Sequence, residues 1–274
     1  MKKFIDCHTH LQTEELIEEY FANRVGYAIS IKALDSLIGN GDTFYKATEK
    51  YENIFICESI DALEPIKPQI EKIKLNLKKY RTIGLKIYLG YQPIFADDEK
   101  LLPVYEFAKE NELSVVFHCG VGADNLYYDE KFSSSLPIEN VAKQYPTVNF
   151  IASHFDYPNF DDCAKIVCNN ANIYTDISGE FENFGNSPYH KLINEFVAQI
   201  FPTIEKYDKD VLAKKVMFGT DYFGIGSGFD AVEEYMQTCK ILFGEKNTNN
   251  CLYNNCINAY PKIMKYIKNK DKEL

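Results

Sequence analysis

Lys3-Phe4-Ile5-Asp6-Cys7-His8-Thr9-His10 stands almost at the start of the chain, an apolar, β-prone run that ends in His-x-His. Leu11-Gln12-Thr13 then opens a helical pattern, with Thr13 as a candidate N-cap ahead of Glu14 and Glu15. Side chains of a strand alternate between its faces. The run therefore predicts Asp6, His8 and His10 on one side, Cys7 and Thr9 on the other. Two imidazoles two residues apart on one face can reach the same divalent ion. Two solvated histidines at a strand end would look the same in isolation, so the rest of the chain decides.

Seven further β-prone runs follow, at 26–31, 53–57, 82–88, 113–118, 148–154, 172–177 and 215–221. Helical patterns separate them. Leu16, Ile17, Tyr20 and Phe21 share one helical face, as do Leu101, Val104, Tyr105 and Ala108, and later Phe229, Val232, Tyr235, Met236, Cys239 and Phe243. Pro137 suits a first helical position. Eight strand–helix units of roughly 25 to 40 residues predict a (β/α)8 TIM barrel. One domain spans 1–274, with the Lys-rich tail from about 268 expected to fray. A doubly wound open sheet is disfavoured, because no Gly-x-Gly-x-x-Gly follows an early strand.

Composition narrows the function. Apolar residues make up 46% of the 274, which marks a folded globular chain. No apolar run has transmembrane length and no signal-like block opens the chain, so a cytoplasmic enzyme without a membrane partner is expected. The formal net charge is −10 and the lysines are scattered, which disfavours nucleic acid and anionic lipid. A small-molecule substrate fits, and a homo-oligomer is left open. The eight cysteines (Cys7, Cys57, Cys119, Cys163, Cys168, Cys239, Cys251 and Cys256) form no C-x-x-C pair. They read as small core residues, not as a disulfide framework or zinc finger.

Four of the five histidines end predicted strands: His8 and His10 the first, His118 the fifth, His154 the sixth. Asp221 ends the eighth and Lys86 lies near the end of the fourth. A barrel gathers the carboxyl ends of all its strands on one face, where active sites sit. Alternation also places Gly84 below Lys86, Ala152 below His154 and Gly219 below Asp221, small residues that suit a filled interior.

This ordered set resembles the amidohydrolase superfamily, and its local phrases look most like the amidohydrolase-related branch. They are Asp6-Cys7-His8-Thr9-His10, Gly84-Leu85-Lys86, Phe117-His118-Cys119-Gly120, Ser153-His154-Phe155 and Phe218-Gly219-Thr220-Asp221. The segment from Asn255 to Tyr260 is similar to an Asn-Ala stretch near the C-termini of that branch. The resemblance implies His8, His10, Lys86, His118, His154 and Asp221 as metal ligands, with Asp221 and His154 catalytic. It implies one or two divalent ions, Zn²⁺ first, the second needing a carboxylated Lys86. An unmodified Lys86 would instead be a cation that meets a substrate carboxylate.

The expected activity is hydrolysis of an amide, ester or lactone. The main alternative is a metal-dependent, non-oxidative decarboxylase of an aromatic or enoic acid, which must hold a carboxylate. Arginine does that best, yet Arg24 and Arg81 precede strands two and four and belong at the other end of the barrel, which leaves lysines such as Lys32. A non-catalytic metal-binding barrel and a metal-dependent nuclease are weaker readings. His190 and Asp176 are secondary candidates, Asp176 facing the barrel or capping a turn with Ser178. Tyr88, Tyr91, Tyr127, Tyr128, Tyr157 and Tyr222 follow strands and are candidate pocket walls. The loops 120–136 and 179–214 would set the substrate.

Overall fold

The computed structural model describes residues 4–34, 41–123, 126–181, 189–224 and 231–267; the tail from 268 lies outside them. Its strands are β1 (Ile5–Thr9), β2 (Tyr27–Ile31), β3 (Ile54–Ile60), β4 (Thr82–Ile87), β5 (Ser114–Phe117), β6 (Phe150–Ala152), β7 (Ile173–Asp176) and β8 (Val216–Met217), parallel and paired in sequence order. At the seam, Cys7 N–H donates to Phe218 O (3.0 Å), Asp221 N–H to His8 O (2.8 Å) and His10 N–H to Tyr222 O (2.7 Å). The result is a nearly closed TIM barrel, as predicted.

Helices α1 (Glu14–Phe21), α2 (Gly41–Glu49), α3 (Ile66–Asn76), α4 (Leu102–Glu110), α5 (Ile138–Gln144), α6 (Phe160–Asn169), α7 (Tyr189–Lys206), α8 (Lys209–Leu212) and α9 (Val232–Phe243) alternate with the strands. Thr13 caps α1 as expected, its hydroxyl accepting from Leu16 N–H. Ile17 and Tyr20 of α1 and Val104 and Tyr105 of α4 pack on outward strand residues such as Ala28, Leu85 and Val115. The inward layer holds Ile5, Ile29, Phe55, Cys57, Val116, Ile151 and Met217. Full burial of each large apolar side chain contributes about 1.5–3 kcal/mol.

After α9 come α10 (Glu245–Asn249), a π-helical turn (Asn250–Asn254), α11 (Asn255–Ala259) and α12 (Ile263–Ile267). This segment seals the N-terminal end of the barrel with Cys256, Ala259, Tyr260 and Ile263. Asn255 locks it in place, donating to Ala213 O (3.0 Å) and Val216 O (2.7 Å) at the start of β8. A side chain at Gly84 would meet Cys57 Sγ at 2.7 Å, so only glycine lets the layer close there.

Two expectations about alternation are corrected. In β1, Asp6 pairs with Ala28 but Thr9 pairs with Ser30, one extra residue against β2. The bulge breaks the period. Asp6 turns outward to Tyr20 of α1, whereas Cys7 joins the inward layer. In β6, Ala152 belongs to the outer layer and Ile151 to the inner one. The strand stops at Ala152, and His154, Phe155 and Asp156 follow with φ of 60°, 47° and 57°. His154 therefore does not sit above Ala152; it is carried inward by a left-handed turn.

Candidate metal centre

His8 and His10 leave the end of β1, and Asp221 lies beyond β8 at the seam where the barrel closes. His8 Nε2 is 3.3 Å and His10 Nε2 3.0 Å from one oxygen, Asp221 Oδ1. Among the described residues that buried oxygen has no hydrogen-bond partner. Two nitrogens and a carboxylate oxygen thus converge on a point without satisfying one another, an arrangement suited to a cation.

The other ring nitrogens show the same design. His10 Nδ1 donates to Ile31 O (3.1 Å), His118 Nε2 to Val121 O (3.1 Å) and His154 Nδ1 to Ser178 O (2.9 Å). A carbonyl oxygen only accepts, so each of these nitrogens carries the proton and the opposite nitrogen keeps its lone pair. His8 Nδ1 faces Asp176 Oδ2 at 3.4 Å. Burial pushes His8 down to about 3, with the nearby Lys86 cation adding to the effect. Burial likewise lowers His118 and His154. Neutral imidazoles are the form that binds metal.

The four rings are close. His154 lies 4.8 Å from both His8 and His118, centroid to centroid. His8, His10 and Asp221 form one three-residue donor group, and His8, His154 and Asp176 form another. The second is better explained as an orienting network. Asp176 Oδ1 already accepts from His154 N–H (3.0 Å), Ser178 N–H (3.1 Å) and Ser178 Oγ (2.5 Å). Both sequence readings of Asp176 therefore hold: it faces the barrel and it closes a turn with Ser178. His118 belongs to neither three-residue group.

Burial alone would raise the carboxyl of Asp176, but its contacts with His8 and Ser178 hold it well below the usual range. Asp6 ties the two walls together. Its oxygens accept from His8 N–H (3.2 Å), Thr220 N–H (3.2 Å), Thr220 Oγ1 (2.7 Å) and Tyr20 Oη (2.7 Å). One carboxylate thereby sets the spacing between His8 and Asp221. Sequence reasoning missed this brace, and also Gly179. With φ +74°, Gly179 lies where a Cβ would come within 3.0 Å of His154 Nδ1 and 3.4 Å of Asp221 Oδ2. The Asp-x-Ser-Gly after strand seven was the available signal.

Lys86 is buried at the centre of the barrel mouth. Its Nζ donates to Ser153 Oγ (3.3 Å) and lies 5.3 Å from the Tyr88 ring centroid. Burial lowers its basicity while Asp221 and Asp176 oppose that. Tyr91 packs on His118 (4.8 Å) and on Tyr128 (4.9 Å), so these two tyrosines and Tyr88 wall one side. Tyr127 is exposed, and Tyr222 turns away to Tyr20 and Glu19. The side chain of His190 lies outside the described residues. Arg24 pairs with Glu233 (3.3 Å) and Tyr20 O, and Arg81 binds Ile54 O (2.9 Å) at the start of β3. Both are away from the mouth, as expected.

Among the described residues no helix is long and apolar enough to cross a membrane. Residues 60–243 match the model of the amidohydrolase family Amidohydro_2. No curated protein matches the chain. Solved structures share its fold. The uncharacterized TIM-barrel protein Bb4693 from Bordetella bronchiseptica is 16% identical with a TM-score of 0.70, covering 95% of this chain and 99% of that one. A probable 2-pyrone-4,6-dicarboxylic acid hydrolase from Acinetobacter baumannii, with citric acid bound, is 13% identical with a TM-score of 0.67 over 94% and 99%. The 5-carboxyvanillate decarboxylase from Novosphingobium aromaticivorans, complexed with manganese, is 12% identical with a TM-score of 0.62 over 94% and 96%.

Proposed function

The chain belongs to the amidohydrolase family, and we propose that it is a hydrolase that cleaves an amide, ester or lactone of a small molecule with one divalent ion. The observation that carries this reading is Asp221 Oδ1, buried without a hydrogen bond among the described residues and facing His8 Nε2 and His10 Nε2. Two imidazole nitrogens and a carboxylate suit Zn²⁺. When bound, such an ion acts as a Lewis acid that polarises a carbonyl and makes water more acidic.

The remaining steps belong to the chain's own residues. Asp221, whose Oδ1 faces His8 Nε2 and His10 Nε2, accepts the proton of the attacking water. His154 is fixed through Ser178 at Nδ1, which leaves Nε2 to orient the carbonyl or the water. Lys86 is assigned as an unmodified amine that meets a negative or carbonyl oxygen of the substrate. His118, held by Val121 and Tyr91, completes the wall behind His154. The tyrosines keep water away from that side.

A barrel of this fold serves a hydrolase in one structural relative and a decarboxylase in another, so the fold does not choose between them. The arginines favour hydrolysis. Arg24 and Arg81 are both engaged elsewhere, so no guanidinium fork is available for a carboxylate. The test is a screen of lactones, esters, amides and aromatic carboxylic acids against metal-loaded protein, with product analysis. Hydrolysis of one of the first three classes is expected. Release of CO₂ from an acid, with no hydrolytic activity, would replace this reading with the lyase.

A further inference from the structure

We propose that Cys239 and Cys251 are a modification site: a thiol pair that closes to a disulfide under mild oxidation and cross-links α9 to the π-helical turn Asn250–Asn254. All eight cysteines are free thiols in the structure. The Cys239 and Cys251 sulfurs nevertheless lie 2.8 Å apart, and both residues are fully buried. A disulfide needs about 2.05 Å, so the bond forms with a movement of less than about 1 Å. The chain path produces this approach. Gly244, with φ +77°, ends α9, and α10 then reverses the chain so that residue 251 returns against residue 239.

The position of the pair gives the bond a consequence. Cys251 O accepts from Phe218 N–H (2.9 Å) just past β8, and Asp221 follows three residues on. The cross-link would therefore brace the strand end that carries Asp221 against an outer helix. Its formation does not depend on the metal or on the proposed activity.

The chemistry balances with a peroxide as oxidant. The thiolate of one cysteine attacks a peroxide oxygen to give a sulfenic acid and water. The second thiol then attacks that sulfur and expels a second water, leaving the S–S bond. Two thiols are oxidised, one peroxide is reduced. Burial pushes the Cys251 thiol up, and its hydrogen bond with Cys239 adds to this. Reaction therefore waits on local opening of the α9–α10 corner and is slow.

A peptide map tests the idea on the intact wild-type protein. Trypsin cleaves after Lys240 and Lys246, so the two cysteines fall in separate peptides that only a disulfide keeps together. After treatment of the folded protein with hydrogen peroxide and alkylation of remaining thiols, a linked pair lacking two hydrogens is expected, and dithiothreitol should release it. Fragmentation must place the bond at Cys251 and not at Cys256, and a Cys256→Ser variant should keep it. Alkylation of both Cys239 and Cys251 after oxidation would overturn the proposal. So would over-oxidised sulfur without a link, or a link from Cys239 to a different cysteine.

Discussion

At its N-terminal end the barrel is filled by Ile5, Ile29, Phe55, Val116 and Met217 and sealed by Tyr260 and Ile263, none of which has a positive φ. At the opposite end His8, His118, His154, Lys86 and Asp176 are nearly as buried, but the backbone beneath them is left-handed at His154–Asp156 and at Asp221. Such residues cost about 1–3 kcal/mol each, and buried polar groups add to that unless they are paired. One end stabilises the fold, and the other holds reactive groups in arrangements the fold must support.

Substitutions at the two ends should therefore fail in different ways. The largest effect is expected for Asp221→Asn. Asparagine tolerates left-handed backbone and can still offer an oxygen to a metal, but it cannot take a proton from water. Turnover should fall by about 10² to 10⁴ in kcat with excess metal present, while the melting temperature holds. Near-normal kcat would remove Asp221 from the mechanism.

Tyr260→Ala should do the reverse. The side chain is fully buried in the seal, and truncating a large aromatic costs about 3–5 kcal/mol. Urea denaturation should show that loss, with metal content per folded chain unchanged. Among the described residues the buried Tyr260 hydroxyl has no partner, so Tyr260→Phe should be neutral or stabilising. A large loss in the phenylalanine variant would contradict the purely apolar account of this end.

A smaller effect separates the ends by pH. Glu180 follows β7, fully buried, with no hydrogen bond to either carboxyl oxygen from the described residues. Burial raises its pKa well above the usual range, and Asp176 adds to this. The folded state therefore keeps a proton that the unfolded chain loses above about pH 4.3, so stability falls as pH rises from there to the folded pKa. The slope from this group is about 1.4 kcal/mol per pH unit. Glu180→Gln should lack that slope, so its stability relative to wild type should improve from acid to neutral pH. A difference that stays constant with pH would show that Glu180 ionises freely.

The same division explains what the sequence revealed. Strand order, the Thr13 cap and the gathering of His8, His10, His118, His154 and Asp221 follow from periodicity and barrel topology, which are local patterns repeated along the chain. The seal of the N-terminal end by Cys256, Ala259, Tyr260 and Ile263 was not read from the sequence, because it depends on how the C-terminal helices fold back beneath the strands. The bulge in β1 and the left-handed turn after Ala152 were not legible, because each depends on a neighbouring strand or loop and leaves no period of its own. The Asp6 brace was hidden for the same reason: its partners, Tyr20 and Thr220, are 14 and 214 residues away.

The most direct test of the metal assignment is anomalous diffraction at the zinc edge from crystals grown with Zn²⁺ and bicarbonate. One ion bound by His8, His10 and Asp221 is expected, with the Lys86 side chain ending at Nζ. A second ion bridged by extra density on Lys86 would reject the one-ion reading, and the absence of any ion at these three residues would contradict the account at its centre.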